Sequence, residues 1–149
     1  MSERGSRLRE TVDGQISELI AIVASLEEAA LRLPCPGREK LGDGTVAACA
    51  SHTAETYHRI AAFLAGHSAD RHDHAHNTHN ADAHALLQQL STARTSLSVL
   101  ANLTDEQLDA VPPASGIRFT DGERTLEQVV ASMLKHQAHQ IEAVKAAVA

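Results

Sequence analysis

Apolar residues recur along this chain at helical spacing, in four separate stretches. From about Leu8 to Leu33, the positions Val12, Ile16, Leu19, Val23, Leu26 and Ala30 step by four and three. That rhythm keeps side chains on one face of a helix. Pro34-Cys35-Pro36-Gly37 must end it, because proline supplies no amide to continue the ladder. A second helix is predicted from near Thr45 to about Ala65, with the seam Val46, Ala50, Thr53, Tyr57, Ile60 and Leu64 and a stop at Gly66. Asp82 is the expected N-cap of a third, whose seam is Leu86, Leu90, Ala93, Leu97 and Leu100. Thr104-Asp105-Glu106-Gln107 reads as a capping box opening a short extra turn, and Thr125-Leu126-Glu127-Gln128 as a second box opening the last helix. The last seam is Leu126, Val130, Met133, Gln137, Ile141, Val144 and Val148. Residues 111–123 read as loop, with a strand-like piece at Ile117–Thr120, and no internal repeat or domain boundary is visible. The expectation is one all-α domain over residues 1–149.

Two connections stand out. Residues 37–44 are glycine-rich and charged. Residues 67–81 are almost devoid of apolar side chains and far exceed the ~2–8 residues usual between bundle helices. Such a segment crosses the end of a bundle or serves a function of its own.

Composition narrows the picture. The 43% apolar share comes from small and aliphatic residues, with Tyr57, Phe63 and Phe119 the only aromatics, which suits closely packed helices. The net charge of −6, with scattered basic residues, excludes a nucleic-acid footprint and disfavours an anionic membrane surface. No apolar run approaches the ~18 residues of a spanning helix, and no signal-peptide pattern opens the chain. Two cysteines, Cys35 in the turn and Cys49 in the second helix, make no disulfide framework and suit a reducing compartment. A cytoplasmic location is expected, with Cys35 exposed in its turn.

The chemistry lies in the histidines, ten in all. Imidazole is the commonest protein metal ligand, and two facing helices can build a metal site without a dedicated loop. His52 sits beside the seam of the second helix. His136 sits at the edge of the last seam, Gln140 is one turn on, and His139 points further toward solvent. The seams themselves are interrupted by Thr53, Tyr57 and Gln137, which require partners because an unpaired buried polar group costs ~1–3 kcal/mol. These three satisfy one another or line a shared polar pocket. Glu55, one turn after His52, is a candidate acceptor for its ring N–H, and His58 falls on the polar side. The bland alternative is that His52 is simply a half-exposed helix-flank histidine. His67, His72, His74, His76, His79 and His84 crowd residues 67–84; short histidine tracts bind Zn, Ni or Cu, and the alternative is a solvated polar crossover that binds metal only weakly and nonspecifically.

The run Leu33-Pro34-Cys35-Pro36-Gly37, followed by Thr45-Val46 and His52, resembles the opening of the DinB-like superfamily. It is most similar to the branch containing mycothiol-dependent maleylpyruvate isomerases. There a Pro-Cys-Pro-Gly turn precedes a helix with a metal-binding histidine about one and a half turns in. The run from Leu134 to Ile141 resembles that family's closing His-rich helix. The resemblance implies an all-α four-helix bundle of DinB type with a long crossover between helices two and three. It also implies a divalent ion, Zn or Ni, with His52 as first ligand and His136 as second. The third place falls on Gln140, a poor neutral donor, with His139 as its substitute after a small rotation of the helix. The implied activity is that of a thiol-dependent transferase or isomerase, with a low-molecular-weight thiol and a small electrophilic molecule as partners. A non-catalytic protein that senses or buffers metal is the alternative, and a bundle without metal a third. Residues 38–43 depart from the family, which usually carries an aromatic there. Whether the chain is an enzyme, and whether it forms the homodimer common among such bundles, stays open at this point.

Overall fold

The computed structural model describes residues 2–66, 82–114 and 119–149; the predicted 67–81 connection, and the histidines within it, lie outside the described residues. The described residues contain six helices and no strand: α1 (Glu3–Ser25), α2 (Glu28–Leu31), α3 (Val46–Leu64), α4 (Ala83–Leu97), α5 (Asp105–Asp109) and α6 (Leu126–Val148). A 3-10 turn, Ser98–Asn102, extends α4. The four long helices pack in a ring, α1 and α3 each lying against both α4 and α6.

Except at the short α2, each start is fixed by a side chain that satisfies an otherwise orphaned amide. Thr45 caps α3 through Ala48 N, Asp82 caps α4 through Ala85 N, and both predicted capping boxes, at Thr104 and Thr125, are formed. Gly66, at φ +84°, follows the end of α3 in the left-handed region that glycine tolerates. The seam of α4 is buried throughout, as are Val46, Ala50, Tyr57 and Ile60 of α3 and Val130, Ile141 and Val144 of α6.

The first predicted helix differs from the observed one at both ends. It starts five residues earlier than Leu8, because Ser2 Oγ accepts from Gly5 N and donates to the Leu103 carbonyl. It stops at Ser25, whose hydroxyl donates to the Ile22 carbonyl, and Leu26 is extended. Serine hydroxyls compete with the helical ladder in this way. The break redirects the chain, so that Leu31 of α2 is buried in place of the predicted Ala30. The strand-like piece expected near Ile117 lies mostly outside the described residues, and Phe119 has φ +74°, which is not extended backbone.

Between α2 and α3 the chain makes a tight hairpin. Cys35 N donates to the Gly44 carbonyl at 2.8 Å, and Val46 N to the Leu33 carbonyl at 2.9 Å. Gly44 sits at φ +76°, and a Cβ there would stand 3.2 Å from the backbone of Glu39, so a side chain at this position meets both strain and crowding. Closing the hairpin turns Cys35 inward. It is fully buried, and the exposed turn cysteine expected from its two proline neighbours is corrected by this long-range pairing.

Candidate metal centre

The hairpin lays residues 37–41 over the face where α3 meets α6. Asp43 Oδ1 accepts from both the amide and the hydroxyl of Thr45, at 3.2 and 2.6 Å, which fixes the start of α3 and with it the height of His52. The Thr125 box does the same for α6, which brings His136 and Gln140 to the same level, one turn apart. A cavity of about 420 Å³ results, lined by Gly37, Arg38, Glu39, Lys40, Leu41, His52, His136 and Gln140. His139 is exposed and does not line it.

Gln140 is buried and occupied on both sides. Its Oε1 accepts from Arg38 Nε, while its Nε2 faces His136 Nε2 at 3.3 Å. Beneath them, Cys49 Sγ lies 3.8 Å from both the carbonyl oxygen and Oε1 of Gln140. The Cys49 thiol also touches Cys35, and both cysteines are free. Burial, aided by the neighbouring Cys35, pushes the Cys49 thiol up to about 12. Burial also raises Cys35, against the pull of Cys49 and the Arg38 charge. Both therefore stay protonated near neutral pH, which makes them poor nucleophiles and poor ligands in this conformation.

The polar interruptions of the seams are accounted for in part by one another. Gln137 Nε2 donates to the Thr53 carbonyl at 2.7 Å, and Thr53 Oγ1 donates back to the Cys49 carbonyl. Tyr57 has a different partner: its hydroxyl donates to Gln15 Oε1 at 2.6 Å, and Gln15 Nε2 donates to the Leu134 carbonyl. Gln15 thus ties α1, α3 and α6 together. It is half-buried beside the first seam, where only the unexplained tyrosine on another helix hinted at it. Glu55 is half-buried, and desolvation raises its carboxyl against the opposing charge of Arg59. His58, expected to be solvated, is half-buried instead, with Nε2 3.1 Å from the Gln89 carbonyl. A cavity of about 760 Å³ between α3 and α4 includes His58 and His84.

As donors for a divalent ion, the residues divide clearly. Two imidazoles on rigid helices suit zinc or nickel, and an amide oxygen is a harder, weaker third donor. Among the described residues no group of three or more His, Cys, Asp or Glu side chains is placed to hold a metal. The described donors therefore amount to two imidazoles in one cavity lining, His52 and His136, with the Gln140 oxygen engaged by Arg38.

An all-helical chain whose long helices bring a histidine-bearing pair to one hairpin-covered cavity is a helical-bundle protein with an interhelical site. A family model for the DinB superfamily matches residues 11–144, and the chain belongs to that superfamily. No curated protein and no solved structure matches it. Among the described residues no helix is long and apolar enough to cross a membrane.

Proposed function

We propose that the α3–α6 cavity is the working site and holds a divalent ion, zinc or nickel, for thiol-dependent transfer or isomerisation on a small electrophile. The observation that carries this reading is that His52 and His136, far apart in sequence, line one cavity. When bound, the ion would supply Lewis acidity that favours a thiolate at neutral pH. His52 and His136 would hold it. Arg38 holds the Gln140 amide oxygen and so turns the amide nitrogen toward His136. The hairpin contributes Gly37, Arg38, Glu39, Lys40 and Leu41 to the wall of the cavity. The two free, buried thiols accord with a cytoplasmic setting.

Metal analysis of protein purified without an affinity tag tests the proposal. Near-unit stoichiometry in wild type that is lost in His52→Ala supports it, and stoichiometry unchanged by that substitution overturns it. A rate above the uncatalysed control with a low-molecular-weight thiol and monochlorobimane supports catalysis. The engagement of Gln140 by Arg38 favours a second reading, in which the bundle keeps the cavity without the ion. Absence of metal from wild type, with no uptake on adding zinc or nickel, selects that reading.

A further inference from the structure

The cavity that brings the histidines together also concentrates positive charge that the chain leaves unpaired. Arg38 is half-buried, and its hydrogen bonds go to neutral oxygens: Nε to Gln140 Oε1 and Nη1 to the Gly37 carbonyl at 2.9 Å. Among the described residues no carboxylate lies within ion-pair distance of it, and the same holds for Lys40. Most of the other described cations are paired with a carboxylate, although Arg94, which donates to Ser17 Oγ, and Lys135 are not. Arg4, Arg7, Arg9, Arg32, Arg124 and Lys145 each meet a carboxylate. With 19 acidic against 13 basic residues, partners are not scarce, and what sets Arg38 and Lys40 apart is that both line one concavity beside the imidazoles.

The single carboxylate in the lining does not fill this role. Glu39 Oε1 accepts from the Gly37 amide at 3.1 Å, and its own backbone amide also serves it. These bonds, aided by the nearby Arg38 charge, hold its carboxyl below the usual range and turn it into its own loop. It cancels one unit of charge and leaves the outer amino group of Arg38 and the Lys40 ammonium as donors. A guanidinium edge matches the two oxygens of a carboxylate or phosphate, and a nearby ammonium adds a mobile point charge. At about 420 Å³ the cavity is in the range of small-molecule sites and far larger than an isolated oxyanion needs. The anion is then one end of a larger molecule, with Leu41 as an apolar wall and the imidazoles facing the remainder.

We propose that this cavity recognises a small molecule by an oxyanion group, carboxylate or phosphate, through Arg38 and Lys40. The proposal deepens the reading of the cavity as the working site but does not depend on an ion being held there.

The test is an amide-resonance titration of the whole chain at fixed pH and ionic strength, with EDTA present, using benzoate and inorganic phosphate as probes. The expected result is saturable shifts in residues 37–41 and on α3 and α6 around the cavity. Arg38→Gln should weaken binding at least tenfold. Lys40→Gln, at an exposed position that cannot disturb the core, should weaken it several-fold. Tighter benzoate than phosphate assigns a carboxylate ligand, and the reverse a phosphate. Shifts scattered over the surface, an adventitious non-saturating response, or affinity unchanged in both variants would overturn the proposal. Because metal is chelated throughout, anion binding with no metal in the tag-free protein would sink only the ion-based function. Metal binding without anion recognition would sink only this inference.

Discussion

Two glycines of α1 give the sharpest check on how this helix packs. An added Cβ at Gly5 would stand 2.4 Å from the Leu100 carbonyl oxygen and 3.2 Å from that of Leu103. Ordinary C···O contacts start at about 3.3 Å, so the 3-10 turn would have to retreat by nearly 1 Å. The obstacle is backbone, not a flexible side-chain tip, and overpacking of this kind costs ~1–3 kcal/mol. At Gly14, in the exposed middle of the same helix, a Cβ would meet nothing within 4 Å. Alanine is favoured over glycine by ~1 kcal/mol in helix interiors. Gly14→Ala should therefore stabilise the protein by about 0.5–1 kcal/mol, while Gly5→Ala should give no gain and a loss of up to about 2 kcal/mol once the propensity gain is offset. Urea unfolding followed by circular dichroism at 222 nm, with the slope checked for each variant, reads both. The propensity term is shared, so the difference between the two isolates the contact with Leu100. Equal stabilisation by the two substitutions would refute the packing of α1 on the 3-10 turn.

Three further outcomes are expected. Thr125→Ala removes the hydroxyl that accepts from Gln128 N and should cost ~1 kcal/mol in thermal or urea unfolding; no loss would mean that the box contributes nothing to α6. Asp43 is held below the usual aspartate range first by the Thr45 hydroxyl, so its contribution is present above an ordinary aspartate pKa of ~3.9 and is lost as pH falls through the lower folded value. Asp43→Asn should accordingly flatten the decline of stability as pH falls below about 4, and an unchanged slope would contradict that role. Cys35 and Cys49 should react with a disulfide reagent far more slowly in native protein than in denaturant at pH 8; prompt native labelling would contradict their burial.

The long seams were legible because period and burial agree. Leu86, Leu90, Ala93, Leu97 and Leu100 are all buried, and the caps at Thr45, Asp82, Thr104 and Thr125 are local hydrogen bonds that a few adjacent residues determine. The break after Ser25 was not legible: no proline or glycine marks it, and it follows from where Leu31 finds space in the core. Cys35 failed for a similar reason, since its burial depends on the hairpin closed by Leu33 and Val46. At the site, helical phase pointed to His52, His136 and Gln140 and set His139 toward solvent. Arg38 drew notice only as a departure from the family, because its bond to Gln140 spans 102 residues of chain and no periodicity encodes it. Gln15 is the same kind of case, a polar side chain whose meaning appears only once Tyr57 of another helix reaches it.

The account rests on His52 and His136 acting on one ion. Crystals of tag-free protein supplied with zinc or nickel, measured at the matching absorption edge, test this most directly. The account predicts a single strong anomalous peak about 2.0–2.1 Å from a ring nitrogen of each histidine, absent from His52→Ala crystals treated alike. A cavity with no peak, or a peak confined to other histidines, would contradict it.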